Sequence, residues 1–328
     1  MIDLHLHFDG SLPVQTVLRL AREQNIALPA ETEEQLRPFL QAPEDCRDLN
    51  EYLSRFELPL QVLQTREALS EAMKDLIGQL AKEGLLYAEI RFAPQLHTSR
   101  GLSQRQVIEA VLEGLDQGLK TQSSLLDARL ILCCMRGGDN QKENLETVKL
   151  AGEFAGNTKV AAVDLAGAEG LYFTGDFKEL FRLAQEEGVP YTIHAGEADG
   201  PESVKAAISM GTKRIGHGVR CIEDPAVEEE IRQKNITLEC CVTSNIQTRA
   251  FSDAGAHPLL RLLRSGAAVT VNTDNMTVSG TTIAKEFALL KECGMTEAEN
   301  VQLLKNSVEA AFLETEKKQL LMEKVRKG

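Results

Sequence analysis

Short apolar segments rich in β-branched residues recur along the chain, and most are followed by stretches whose apolar residues return every three to four positions. The short segments are Ile2–His7, Leu85–Ala93, Ala128–Met135, Lys159–Ala166, Pro190–His194, Arg214–His217, Ile236–Val242 and Ala267–Asn272. Helical patterns between them include Ser103–Leu119, Asn144–Phe154, Phe177–Glu187, Glu202–Met210 and Pro225–Lys234. Strands alternating with helices imply a parallel sheet, because a parallel connection needs a crossover long enough to hold a helix. Eight such units predict an α/β fold, a (β/α)8 TIM barrel; an open doubly wound sheet is the alternative.

One interval breaks the rhythm. Residues from about 10 to 84 hold helical patterns near Pro13–Glu23, Asp48–Leu60 and Arg66–Glu83, punctuated by Pro29, Pro38 and Pro43. A helical insertion after the first barrel strand falls on the C-terminal face, where barrel active sites lie. It is expected to act as a lid over a substrate, or else to pack the barrel wall. Helical patterns near Thr282–Cys293 and Glu297–Lys324 follow the last strand. No low-complexity linker or break in composition interrupts the alternation, so a single domain over 1–328 is expected.

Composition narrows the partners. Of 328 residues, 43% are hydrophobic and 26% charged, a mix that buries a large core and excludes a disordered chain. Lys and Arg total 36 against 49 Asp and Glu, a net charge of −13. Such a surface repels phosphate backbones, so a small molecule is expected as partner rather than a nucleic-acid polymer. No apolar run reaches the roughly 18 residues of a membrane span. The opening Met1-Ile2-Asp3-Leu4-His5 has no leader pattern, so a cytoplasmic protein is expected and the sequons at Asn235 and Asn275 carry no weight. Seven Cys with no CxxC pair argue against a disulfide framework and a zinc ribbon. Cys133-Cys134 and Cys240-Cys241 lie in apolar runs and read as core residues.

The chemistry gathers at strand ends. Of six His, four fall there: His5 and His7 on the first strand, His194 on the fifth and His217 on the sixth. Residues two apart on a strand share a face, so His5 and His7 converge if that face is the barrel interior. Imidazole is the commonest zinc ligand, and three protein ligands plus water form the open catalytic arrangement. Three residues beyond His194 stands Glu197. Beside a metal but not ligating it, this carboxylate could serve as a general acid whose pKa burial would raise; it equally fits a glutamate at a helix N-terminus. His217 is flanked by Gly216 and Gly218, which leave room for a ligand or for unusual backbone angles, and the segment lacks the third glycine of a dinucleotide fingerprint. Asp274, in Asn272-Thr273-Asp274-Asn275, is a candidate oxygen ligand or water-orienting carboxylate, or part of a simple turn. The fourth strand ends Asp164-Leu165-Ala166-Gly167 without the Lys a two-metal barrel would use as a bridge, which favours one metal.

Taken together these segments resemble the adenosine deaminase family of metal-dependent hydrolases. The resemblance rests on HLHFDGS at 5–11, DLAGAEG at 164–170, HAGE at 194–197, RIGHG at 214–218, TSN at 243–245 and NTDN at 272–275. It is supported by LPLQVLQT at 58–65 and YAEIRFAPQLH at 87–97, and covers nearly the whole chain. It implies one Zn²⁺ per chain held by His5, His7, His194 and Asp274. Glu197 would protonate purine N1, while His217 would orient the attacking water and take its proton, with Asp274 also holding that water. Gly167 would donate its N–H to purine N3, Asp9 would meet the ribose 5′ side, and His7 and Asn275 would complete the substrate contacts. The implied reaction is hydrolytic deamination of adenosine and 2′-deoxyadenosine by zinc-activated water at C6. Deamination of adenine or another 6-aminopurine is the alternative, and a non-catalytic purine-binding protein is the reading from a different class. Two departures stand out. Asn275 replaces a frequent second Asp and donates through its amide with no pKa shift needed. Val242 replaces a frequent Pro before TSN, whose Ser244 is expected near Glu197.

Overall fold

The computed structural model describes residues 1–121, 125–156 and 158–327. Eight strands form: β1 (Ile2–His7), β2 (Tyr87–Phe92), β3 (Asp127–Met135), β4 (Val160–Ala166), β5 (Ile193–Ala195), β6 (Arg214–His217), β7 (Thr237–Cys240) and β8 (Ala268–Val271). All pair parallel to their neighbours in sequence, in two four-stranded sheets, β1 to β4 and β5 to β8. The sheets meet at both seams. Val163 bridges Tyr191, and Thr192 N–H donates to the Val163 carbonyl at 3.0 Å. On the other side Leu6 bridges Asp274; the Asp274 N–H reaches the His5 carbonyl at 2.8 Å and the His7 N–H reaches the Asp274 carbonyl at 2.7 Å. The strands therefore ring a common interior, as the eight-unit alternation predicts.

The helices follow the apolar periodicity. Gln104–Thr121, Gln141–Phe154, Lys178–Glu186, Pro201–Ser209 and Pro225–Gln233 fill the five central crossovers within a few residues of expectation. Four elements depart from the expected pattern. Glu33–Leu40 forms a helix despite Pro38, because Thr32 caps its start and Leu36 and Leu40 are buried. The Asp48–Leu60 pattern resolves into Leu49–Leu53, a 3₁₀ turn at Ser54–Phe56, and Glu57–Val62. β7 stops at Cys240, and Val242 already begins a short helix to Gln247. The C-terminal pattern splits into Glu297–Ala310 and Thr315–Lys327. There the Phe312 N–H leaves the helical ladder for Glu89 Oε1 at 2.6 Å, and the Phe312 ring stacks 4.1 Å from the Arg214 guanidinium.

Barrel interiors are ordinarily layered with branched apolar side chains. Here the middle of the ring holds a buried ionic cluster of Glu89, Arg91, Asp164, Arg214 and Glu239. Among the described residues no helix is long and apolar enough to cross a membrane.

Candidate active site

At the C-terminal end of the ring the structure brings His5, His7, His194 and Asp274 together, with one donor atom from each lying within 4.8 Å of the others. His7 Nε2 stands 3.3 Å from both His194 Nε2 and Asp274 Oδ1, and His5 Nε2 stands 3.4 Å from Asp274 Oδ1. Four donors about 2.05 Å from one ion stand roughly 3.3 Å apart at tetrahedral corners, so this cluster fits a single zinc-sized ion. The buried His5 Nε2 has no hydrogen-bond partner in the protein, the mark of a nitrogen kept for a ligand.

A second layer fixes the rings. His5 Nδ1 meets Glu239 Oε2 at 2.9 Å, and His194 Nδ1 meets Asp164 Oδ2 at 2.8 Å. Carboxylates in these positions set the tautomer that leaves Nε2 free toward an ion. Both carboxylates are themselves held by Arg91, at 2.7 Å to Asp164 and 2.8 Å to Glu239. Burial opposes their ionisation, yet His194 and Arg91 hold Asp164, and Arg214 and Arg91 hold Glu239, well below the usual carboxylate range. Sequence reasoning missed Glu239, Arg91 and Arg214. The available signal was their position as charged residues inside otherwise apolar strands, where a lone charge would be too costly to bury.

Backbone conformation aims the remaining groups. His217 and Asp274 both adopt φ of 60°, a left-handed conformation costing on the order of 1–3 kcal/mol in a non-glycine residue and concentrated at functional sites. Gly216 sits in close approach: a Cβ there would lie 3.1 Å from both His194 Nδ1 and His5 Cε1, so a larger residue would press on both rings. Glu197 is buried, with its Oε2 3.6 Å from His217 Nε2. Burial pushes its carboxyl well above the usual range, and the nearby Asp274 and Glu169 charges push the same way. Burial likewise drives the His7 and His217 imidazoles well below their ordinary range.

A chain of hydrogen bonds orients His217. The Leu259 N–H donates to His257 Nδ1 at 3.3 Å, so the neutral His257 ring carries its proton on Nε2 and donates to Asn245 Oδ1 at 3.1 Å. Asn245 Nδ2 then donates to His217 Nδ1 at 3.0 Å, leaving the proton of the neutral His217 ring on Nε2. Ser244, expected near Glu197, donates to Asp274 Oδ2 at 2.6 Å; the TSN segment thus braces Asp274 and His217.

These groups open into a cavity of about 230 Å³. Of the expected substrate contacts, His7, Asp9, Gly167 and Asn275 all line it, as do Glu197, His217 and Asp274. Its walls are largely apolar, with Leu53, Phe56, Leu96 and Met135 prominent, and the insertion contributes Leu49, Tyr52, Leu53, Phe56 and Leu60 to the lining. Asp9 is buried there, and burial pushes its carboxyl up to about 6. Cys133, read as core, is buried and also lines the cavity; all seven Cys are free thiols.

Comparison with known proteins places this architecture. The family model described as "Adenosine deaminase" matches residues 1–328. The adenosine deaminase of Haemophilus ducreyi is 50% identical over 325 residues, covering 98% of this chain and 94% of that protein. Among solved structures, an adenine deaminase from Arthrobacter aurescens superposes with a TM-score of 0.90 at 28% identity, covering 99% of this chain and 98% of its own. An Arabidopsis N6-mAMP deaminase gives 0.88 at 26% identity, covering 100% and 97%. With a family model spanning the whole chain and a relative sharing half its residues, the chain belongs to the adenosine deaminase family and is an aminohydrolase.

Proposed function

We propose that His5, His7, His194 and Asp274 hold one Zn²⁺ and that this site converts adenosine and 2′-deoxyadenosine to inosine and 2′-deoxyinosine with release of ammonia. The observation that carries the reading is the buried Glu197–His217 pair facing the same space as the four-donor cluster. Zn²⁺, when bound, supplies the Lewis acidity that brings the pKa of a water to about 7, so a nucleophile is available at neutral pH.

The chain's own residues do the rest. Glu197, kept protonated by burial, gives its proton to purine N1 as C6 becomes tetrahedral, so the ring does not accumulate negative charge. His217 presents Nε2–H, which suits holding and stabilising the attacking oxygen rather than receiving a proton from it; the donor chain through Asn245 supports the first of its two expected roles and not the second. The proton that oxygen sheds is taken by the Asp274 carboxylate, which faces the same space, and passes to N6 as the C6–N6 bond breaks and ammonia leaves. Asn275 donates its side-chain amide to N7, the Gly167 N–H reaches N3, and Asp9 accepts from the ribose 5′ side. The largely apolar walls lower the local dielectric, which strengthens each of these contacts.

The test is the ultraviolet spectrum of adenosine mixed with zinc-replete protein. A shift to the inosine spectrum that chelator abolishes and Zn²⁺ restores is expected. Glu197→Gln should fold normally and lose about 10²–10⁴-fold in turnover. Adenine run in parallel, the substrate class named for the Arthrobacter relative, should react far more slowly. A metal-loaded, folded sample that leaves adenosine unchanged would overturn the proposal.

A further inference from the structure

We propose that Glu169 is a positioning residue for Glu197: it fixes the loop that aims the acid into the cavity. The inference rests on the reading of Glu197 as the proton donor. The Glu197 carboxyl has no firm anchor of its own. His217 Nε2 is 3.6 Å away, Asp274 is a carboxylate that repels it, and Thr248 has a hydroxyl that itself lacks a partner. Its aim is therefore set by its backbone.

That backbone is gripped by one side chain. Glu169, buried in the loop after β4, accepts four consecutive amides: Gly196 N–H on Oε1 at 2.6 Å, then Glu197, Ala198 and Asp199 N–H on Oε2 at 2.9, 2.7 and 3.1 Å. Successive N–H groups converging on one anion form a nest, and an ionised carboxylate is the side chain best suited to fill it. Gly196 supplies the turn with φ of +73°. The hydroxyl of Ser203 completes the set on Oε1 at 2.5 Å and leads through Thr174 to Arg136, which also holds the His194 carbonyl at 2.5 Å. The anchor of the acid and the strand bearing a metal ligand are thus tied to one frame. Glu169 itself does not line the cavity, so it acts on substrate only through Glu197. A displacement of about 1 Å in a reacting group costs on the order of 10²-fold in rate, so loss of this grip is expected in kcat.

Glutamine in place of Glu169 has one acceptor oxygen, and its NH₂ would face amide donors, so it cannot satisfy both halves of the nest. In the zinc-loaded full-length enzyme, Glu169→Gln should lower kcat for adenosine about tenfold or more, with KM within about threefold and zinc content unchanged. Glu169→Asp, which keeps the charge, should recover part of the loss. Because Glu169 acts through Glu197, the double variant Glu169→Gln/Glu197→Gln should be no slower than Glu197→Gln alone. Wild-type kcat in Glu169→Gln, or losses that multiply in the double variant, would overturn the inference. Wild-type kcat in Glu197→Gln would instead overturn the reading of the acid. If Glu169→Gln fails to fold, Glu169→Asp decides: a reduced kcat at unchanged KM supports positioning, and an unchanged kcat refutes it.

Discussion

Replacing Glu239 by Gln keeps the shape of a side chain at the centre of the barrel and removes its charge. Glu239 accepts four hydrogen bonds: from Arg91 Nη2 at 2.8 Å and His5 Nδ1 at 2.9 Å on Oε2, and from Arg214 Nε at 2.7 Å and Thr192 Oγ1 at 2.8 Å on Oε1. A glutamine turned either way offers an acceptor to one pair and an NH₂ to the other. All five residues are buried, so water cannot take over the lost contacts. Two lost hydrogen bonds, at least one to a guanidinium, come to roughly 3–5 kcal/mol. That agrees with the roughly 3–5 kcal/mol for removing one partner of a buried ion pair. At His5 the same change removes the carboxylate that orients the ring, which should weaken metal affinity about 10–100-fold. Urea unfolding of the zinc-loaded protein measures the first effect and chelator competition for Zn²⁺ the second. A variant with the wild-type unfolding midpoint and the wild-type zinc affinity would refute the claim that the ionic cluster supports the metal site.

Two further outcomes follow from particular contacts. Gly216→Ala should lower zinc occupancy and activity together, since its methyl would press on the His194 and His5 rings at 3.1 Å; full zinc content by metal analysis would count against the close-approach argument. Acid sensitivity should trace in part to His97, which is fully buried, bonds the Leu63 carbonyl through Nδ1 at 2.9 Å and leaves Nε2 unpartnered. Burial pushes it down to about 4, against about 6.5 in the unfolded chain. The folded state therefore resists a proton that the unfolded state takes up. This contribution is intact above about pH 6.5 and is lost as pH falls toward 4, up to about 3 kcal/mol. The wild type should lose more stability between pH 7 and pH 5 than His97→Gln does, and parallel losses would remove His97 from the account.

The parts of the fold governed by local pattern were legible in the chain. All eight strands sit where β-branched apolar runs predict them, and the period-two spacing of His5 and His7 leads directly to two imidazoles in one four-donor cluster. What escaped was set by partners far away in sequence. Arg91 meets Asp164 and Glu239, and Arg214 meets Glu89 and Glu239, across strands that no local window connects. Glu169 looks like one more loop glutamate until the 196–199 amides are seen around it. The C-terminal helix reads as continuous through Ala311–Glu314, because its break comes from a buried glutamate on β2 rather than from a helix-stopping residue. The position of the His217 proton escaped for the same reason: its tautomer is chosen by Asn245 and His257, 28 and 40 positions on.

Asp274 joins two things usually kept apart in a barrel. Its carboxylate belongs to the four-donor cluster, while its backbone N–H and carbonyl close the ring between β8 and β1 through His5 and His7. An ion gripped there is gripped by the closure itself, so occupancy and folding are linked equilibria. A ligand present at 100 times its Kd stabilises the folded state by about 2.7 kcal/mol, and here that gain falls on the seam. Amide exchange at His7 and Asp274 thus becomes a gauge of ion occupancy that needs no substrate. The same coupling means that a lineage replacing this carboxylate would loosen the barrel's closing joint along with its chemistry.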